Sequence, residues 1–135
     1  MKILSIETSC DETAVSLVEA EGGLNCPVFE VLGNALFSQI DIHKEYGGVY
    51  PMIAKREHAK KLIPLLLKTL EISAPTFNSK DNKNTRWNLV QKEIENILEK
   101  EHGLFEEFEK KLKDTEKPNI DVISVTAGPG LEPAL

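Results

Sequence analysis

The chain has 135 residues, of which 41% are hydrophobic and 28% charged, and its formal net charge is -6. This length and composition predict one globular domain with a core of its own. The negative charge argues against binding of a nucleic acid through the overall field of the chain, because backbone binding relies on Lys and Arg. No apolar run approaches the roughly 20 residues of a membrane-spanning helix, so no membrane partner is expected.

The two cysteines, Cys10 and Cys26, do not have the spacing of a zinc finger and are too few for a disulfide framework. We therefore expect free thiols and a cytoplasmic location. Cys10 has no histidine near it in the sequence that would activate it, so we expect a passive thiol rather than a nucleophile.

The first forty residues predict three strands of an antiparallel meander, at 2–6, 14–19 and 28–39. Gly22 and Gly23 separate the second strand from the third, and Gly33 interrupts the third. The turn between the first two strands is the unusually polar segment ETSCDET, residues 7–13.

Hydroxyl groups beside the free backbone N–H groups of this turn can complete an anion-binding concavity. Carboxylates in the same turn would repel a bare phosphate, so they indicate a metal ion, an amine or a proton-transfer step. The turn therefore favours nucleotide chemistry. The alternative is a Ser/Thr turn that only closes a hairpin.

A helix is predicted from Pro51, which suits a first helical turn, to Leu70. Its apolar residues at helical spacing predict the face that covers the sheet: Ala59, Leu62, Ile63, Leu66, Leu67 and Leu70. On a helical wheel, Leu65 and Ile53 project away from this face, which predicts a second, exposed apolar strip. Pro64 is expected to kink the helix.

Residues 73–118 begin with a polar, turn-rich stretch and continue as a charged amphipathic segment. This pattern predicts a helical insertion, divided into two helices at Gly103. This segment contains nine Lys or Arg and ten Asp or Glu, so it is not a basic arm. A short buried strand is then predicted at 122–125. The turn that follows it, Gly128-Pro129-Gly130, is either a phosphate cradle or a tight connection from strand to helix.

This order of elements resembles half a domain of the actin, Hsp70 and sugar-kinase superfamily. Three segments, IETSCDET, GNALFSQIDIHKEYGGVYPMIAKREHAKKLIPLL and TAGPGL, resemble the N-terminal part of the TsaD-type tRNA threonylcarbamoyladenosine synthases. The resemblance covers residues 1 to about 72 and 119–135. It implies an α/β fold with a mixed sheet, in which residues 1–135 form part of an N-terminal lobe and 73–118 are inserted.

The resemblance also implies an activity. Such enzymes transfer threonylcarbamoyl from threonylcarbamoyl-AMP to N6 of the adenosine beside the anticodon in tRNA, together with a TsaB-like paralogue and a TsaE-like ATPase. In this chain, Glu12 and Asp11 are then the candidate catalytic carboxylates. The candidates for binding the phosphate or acyl side of the substrate are Thr8, Ser9, Gly128 and Gly130.

The departures from the family pattern concern the metal. The family holds one divalent ion, iron or zinc, through an His-x-x-x-His motif and a distant aspartate, and this sequence has neither. Its own histidines, His43, His58 and His102, lack that spacing, and we expect His43 in a loop, His58 on the helix and polar surface roles for both. The site residues therefore include no metal ligand, and the chain alone is expected to be inactive.

Two alternatives to this enzyme remain open. A TsaB-like relative would share the fold and act as a non-catalytic binding partner, but such sequences resemble DTAT at the first turn and lack the carboxylates of SCDET. Half of a sugar or acetate kinase would show an Asp-Gly-Thr turn instead. The helix face predicted to be exposed indicates binding of the TsaB-like partner or self-association.

Overall fold

The computed structural model describes residues 1–73, 83–113, 115 and 118–128. The strands are β1 (Lys2–Glu7), β2 (Glu12–Glu21), β3 (Val28–Ser38) and β4 (Val122–Val125), and the α-helices are α1 (Ile40–His43), α2 (Pro51–Ser73), α3 (Lys83–Ile97) and α4 (His102–Leu112). A 3₁₀ helix, Lys44–Tyr46, follows α1. The predicted α/β fold with a mixed sheet and helices is confirmed. Within the described residues, no helix has both the length and the apolar character needed to cross a membrane.

The four strands form one sheet in the order β3-β2-β1-β4. The first three strands pair antiparallel, as the predicted meander requires, and β4 pairs parallel to β1. Gly33 does not end β3. The strand continues past it through a bulge, since Leu17 pairs with Gly33 and Val18 with Val31, so that Leu32 is the extra residue.

Helix α2 begins at Pro51 as predicted and continues through Pro64. It contacts β2 and β3. The core between helix and sheet is the cluster Leu4, Val15, Leu17, Ala35 and Leu65, with Ile6, Leu32, Phe37, Leu62, Leu66 and Ile120 packed against it. Leu65 is only 8% exposed, so the prediction that it belongs to an exposed apolar strip is wrong.

The reason for this error lies in polar residues on the sheet-facing side of α2. Thr69 is fully buried and donates a hydrogen bond to the backbone oxygen of Val15 in β2, at 2.9 Å. His58 is also buried and contacts Thr13 of β2. Leu62 and Leu66 pack against the core and Ile63 and Leu70 are buried, as predicted, but a pattern made from apolar residues alone omits Thr69 and His58 and so does not include the whole observed face.

Strand β4 has the predicted bounds, but the prediction that it is buried is wrong. Ile123 and Val125 are each 63% exposed, and Val122 is 40% exposed. The reason is position. Among the strands that the structure describes, β4 lies at the edge of the sheet and has only β1 beside it, whereas α2 packs against β2 and β3.

The chain divides into two compact units, Met1–Ala74 with Asn119–Leu135, and Pro75–Pro118. The second unit contains α3 and α4, and within it the rings of Trp87 and Phe108 stack with their centroids 6.0 Å apart. The break between these helices precedes Gly103, which lies in the first turn of α4. The interpretation of 73–118 as an insertion stays a prediction.

Candidate functional site

The turn between β1 and β2 has an unusual backbone conformation. Its closing hydrogen bond runs from the N–H of Glu12 to the oxygen of Ser9, at 3.4 Å. Cys10 has a φ of 55°, in the left-handed region that a residue with a side chain adopts at a cost. Such strain persists only where neighbouring contacts hold the turn in place.

Glu7, at the end of β1, provides one of these contacts. One oxygen of its carboxylate, Oε1, accepts hydrogen bonds from the backbone N–H of Ser9, at 2.8 Å, and from the Ser9 hydroxyl. The other oxygen, Oε2, accepts one from the hydroxyl of Thr126, which follows β4. Glu7 therefore joins the β1–β2 turn to the segment that leads to Gly128.

These hydrogen bonds also act on the charge of Glu7. Burial alone would raise the pKa of this carboxyl, but the donors on Ser9 and Thr126 outweigh burial and lower the pKa below its usual value. Glu7 is therefore a stable anion that orders the turn. The sequence alone does not mark Glu7 as a site residue, because a glutamate at the end of a strand carries no signal of a distant partner such as Thr126.

Glu12 behaves in the opposite way. Burial raises the pKa of its carboxyl, and the neighbouring carboxylates of Asp11 and Glu7 raise it further. Asp11 and Glu12 are both half-buried. The turn thus holds one carboxylate that stays charged and another that takes up a proton more readily, which is an arrangement suited to proton transfer.

The predicted substrate-binding residues lie in two places. Thr8 and Ser9 are half-buried in the β1–β2 turn, and the hydroxyl of Ser9 donates to Glu7. Gly128 lies two residues after Thr126 and has a φ of 128°, a conformation that residues with a side chain rarely adopt. Gly130 lies outside the described residues. Glu7 and Thr126 thus connect the two predicted regions.

A cavity of about 250 Å³ opens beside Glu7. Its lining is rich in hydroxyl groups and consists of Ser5, Ile6, Glu7, Ala14, Ser16, Ser124, Val125 and Thr126. Ser5, Ser16 and Ser124 lie directly opposite one another on β1, β2 and β4, and the hydroxyl of Ser124 donates to that of Ser5 at 2.9 Å. Small hydroxyl side chains beside a carboxylate suit a polar ligand.

Four buried polar side chains lie next to the turn: Thr13, Gln39, His43 and His58. Thr13 Oγ1 lies 2.8 Å from His58 Nδ1, and Gln39 Nε2 lies 3.3 Å from the same nitrogen. The other end of the Gln39 amide, Oε1, lies 3.0 Å from His43 Nε2. These residues form one continuous hydrogen-bond network, which we call the histidine network.

The prediction that His43 and His58 have polar surface roles is therefore wrong, as is the placement of His43 in a loop. His43 is the last residue of α1 and is 3% exposed, and His58 is 6% exposed. The fold brings them together through Gln39, which no periodicity in the sequence reveals. The one available signal was the spacing of Gln39 and His43, which places them one helical turn apart.

The electrostatics of His58 follow from its burial. Desolvation lowers the pKa of the imidazole, whereas the Cys10 backbone and the carboxylates of Glu7 and Asp11 act in the opposite direction. A metal does not fit here, since the described part of the chain brings no three His, Cys, Asp or Glu side chains together in a way that could hold one.

Comparison with known proteins gives a partial match. Residues 30–81 match the family model described as TsaD, tRNA N6-adenosine threonylcarbamoyltransferase. The chain is also 54% identical over 71 residues to the tRNA N6-adenosine threonylcarbamoyltransferase of Persephonella marina. This alignment covers 53% of the chain and 19% of the relative, so the chain spans about a fifth of the length of the curated relative that it matches. The resemblance to the TsaD-type transferases that the motifs predict is thereby confirmed for the matched part of the chain.

Proposed function

We propose that this chain is part of a tRNA N6-adenosine threonylcarbamoyltransferase, an acyltransferase of the TsaD type that acts in tRNA modification. The observation that carries this proposal is the β1–β2 turn, where Glu12, with its raised pKa, lies beside Asp11 and near the charged Glu7. The name of the matched relative supplies the reaction class. The substrates are then tRNA and threonylcarbamoyl-AMP.

The reaction requires proton transfer at a weak nucleophile. The N6 amine of adenosine attacks the carbonyl carbon of the mixed anhydride, an N–C bond forms, and the C–O bond to AMP breaks. The amine loses one proton in this process, and Glu12 accepts it as general base, with Asp11 beside it. A raised pKa suits this role because it brings the carboxyl closer to the working pH.

The remaining candidates hold the donor. Thr8 and Ser9 bind its phosphate or acyl side in this proposal, and Gly128 and Gly130 stay candidates for binding the phosphate. In this proposal the chain forms part of an N-terminal lobe of the actin, Hsp70 and sugar-kinase type, with 73–118 as an insertion. The iron or zinc ion implied by the resemblance would be bound by residues outside this chain.

A reaction between two bound substrates needs both held in one geometry. The partners in this proposal are a TsaB-like paralogue and a TsaE-like ATPase, and the location is the cytoplasm, where Cys10 and Cys26 stay reduced as the free thiols observed. Residues 1–135 alone should therefore show no transfer when they are purified and incubated with tRNA and the adenylate donor.

The test of the chemical role uses a complete enzyme that contains this sequence. Replacing Glu12 by Gln removes the base and should lower kcat by about 100-fold or more, with a smaller effect on KM. Glu30→Gln, at an exposed carboxylate on β3, is the matched control and should leave both constants unchanged. Transfer at the wild-type rate by Glu12→Gln would contradict the catalytic assignment and favour the non-catalytic, TsaB-like alternative.

A further inference from the structure

The donor and the acceptor of each hydrogen bond in the histidine network can be assigned, starting from a main-chain donor. The backbone N–H of Tyr50 can only donate, and it points to His43 Nδ1 at 3.3 Å. This nitrogen is therefore an unprotonated acceptor. His43 is then neutral and carries its proton on Nε2, from which it donates to Oε1 of Gln39.

This contact fixes the orientation of the Gln39 amide. With Oε1 accepting from His43, the Nε2 group of Gln39 donates to His58 Nδ1, and the hydroxyl of Thr13 donates to the same nitrogen. Nδ1 of His58 therefore carries no proton. The neutral imidazole of His58 has its proton on Nε2, and this tautomer follows from the chain of contacts that begins at Tyr50.

The network is attached to the turn on both sides of Glu12. On one side, the backbone N–H of Gln39 donates to the carbonyl oxygen of Asp11 at 2.7 Å. On the other side, the hydroxyl of Thr13 donates to His58. The residues before and after Glu12 are thus both bound by one rigid, buried unit, while the carboxyl of Glu12 itself is half-buried and available.

The Nε2 atom of His58 supplies an independent observation. It is buried and makes no hydrogen bond of ordinary geometry among the described residues, although the Cys10 backbone acts on the ring as a hydrogen-bond partner. The groups that act on the charge of the ring are the Cys10 backbone, Glu7 and Asp11 from β1 and the turn, and His43 from α1. The influence of the Cys10 backbone links the ring directly to the β1–β2 turn, in addition to the contacts through Thr13 and Gln39.

We propose that His58 is a positioning residue for Glu12, which it holds through Thr13 and Gln39 in its neutral Nε2–H form. The effect on catalysis rests on the proposed function, whereas the effect on the geometry of the turn does not. His58 fixes the backbone on both sides of Glu12, and this fixed backbone keeps the carboxyl beside Asp11. A shift of about 1 Å in such a group can lower a rate about 100-fold.

The first test needs no variant. Nitrogen-15 NMR of the imidazole rings in residues 1–135 distinguishes the two neutral tautomers and the charged form. At pH near neutrality we expect the Nε2–H tautomer for both His43 and His58. The Nδ1–H tautomer or a charged ring at His58 would overturn the proposal.

The second test separates the two ring nitrogens. In His58→Asn, the amide oxygen can take the place of Nδ1 and still accept from Thr13 and Gln39. In His58→Gln, the longer side chain places its amide near Nε2 and loses that acceptor. Carbon-13 NMR of the Glu12 carboxyl should show a titration near that of wild type for His58→Asn and one moved towards lower pH for His58→Gln.

Controls cover loss of folding and failure of the proposed function. Thr13→Ser keeps the hydroxyl and should show the wild-type Glu12 titration. Thr13→Val loses the hydroxyl and should resemble His58→Gln, and Lys68→Gln, at an exposed site of α2, should leave the Glu12 titration unchanged.

In the complete enzyme, His58→Gln should lower kcat about 100-fold with little change in KM, whereas His58→Asn should retain most of the wild-type kcat. If the wild-type enzyme transfers nothing, the proposed function fails, and the Glu12 titration still decides the positioning role. Equal Glu12 titrations in wild type, His58→Gln and Thr13→Val would overturn it.

Discussion

At the scale of single residues, the site depends on carboxylates in different surroundings. Glu7 accepts three hydrogen bonds, whereas the carboxyl of Glu12 is surrounded by negative charge. The same type of side chain can therefore serve as a fixed anion or as a proton acceptor within one turn. The donors of Ser9 lower the pKa of Glu7, and a further donor comes from Thr126, which is 119 residues from Glu7 in the sequence. No local pattern could have indicated it.

Replacing Glu7 by Gln should destabilise the fold. The amide keeps one acceptor but presents N–H groups where Oε2 accepted from Thr126, so at least one charge-assisted hydrogen bond is lost, at a cost of about 1.5–3 kcal/mol. Urea unfolding at neutral pH would measure this loss, and Glu30→Gln on β3 is the exposed control.

The effect of Glu7→Gln should also depend on pH. Because the folded-state pKa of Glu7 is lowered, its charged form stabilises the fold above the ordinary value of 4.5, and this contribution is lost as the pH falls through the folded-state pKa. The difference between wild type and variant should therefore shrink in acid. A difference that stays constant down to the acid transition would contradict the assigned role of the carboxylate.

His58 should give the chain a second dependence on pH. Its folded-state pKa is lowered by burial, so below the ordinary value of 6.5 the unfolded chain binds a proton that the folded chain resists. Stability should therefore decrease as the pH falls from about 7.5 to about 5.5, in the range where histidine titrates. In His58→Asn, which has no titrating group here, urea unfolding should show a smaller decrease over the same range.

At the scale of elements, the antiparallel meander of β1 to β3 and the start of α2 could be predicted from the sequence because they depend on local patterns. Alternation marks β1 to β3, and Pro51 marks the first turn of the helix. The face of α2 could not be predicted in the same way. Thr69 and His58 face the sheet because each finds a hydrogen-bond partner there, and such partners lie far away in the sequence.

The observed face of α2 predicts a ranking of substitutions. Leu65→Ala removes a side chain from the core cluster and should cost about 2–5 kcal/mol, whereas Leu67→Ala, at a half-buried position outside that cluster, should cost less. Thr69→Val keeps the shape but removes the donor to Val15, at about 1–3 kcal/mol. Urea unfolding of the three variants tests the ranking, and a larger loss for Leu67→Ala than for Leu65→Ala would restore the face predicted from periodicity.

The hairpin between β2 and β3 predicts a difference between adjacent glycines. Gly22 and Gly23 have φ values of 82° and 65°, so alanine is strained at either position, by about 1–2 kcal/mol. A Cβ at Gly22 would also clash with the backbone oxygen of Cys26, whereas at Gly23 it meets open space. Gly22→Ala should therefore lower the melting temperature more than Gly23→Ala does, and equal losses would show that the hairpin relaxes around the added methyl group.

At the scale of the whole molecule, the fold brings together two of the predicted segments that lie far apart in the sequence. The turn carrying Glu12 and the segment leading to Gly128 meet through Glu7 and Thr126, and the assignment of both to one substrate site stays a prediction. The histidine network and the exposure of β4 were missed for a common reason. Both depend on which elements become neighbours in the folded sheet, and propensity or periodicity does not report this.

The division into two units predicts that residues 75–118 can be removed. The hydrophobic core cluster, the pairing of β1 with β4 and the histidine network all consist of residues from Met1–Ala74 and Asn119–Leu135. A variant in which about ten Gly and Ser residues join Ala74 to Asn119 should therefore keep the sheet, because a flexible linker of that length adds little loop-closure cost. Proton NMR should show the same contacts between Leu4 and Ile123 across β1 and β4 as in the intact chain. Loss of these contacts, with the linker lengthened as a control for reach, would mean that the sheet requires 75–118 and that this segment is not a separable insertion.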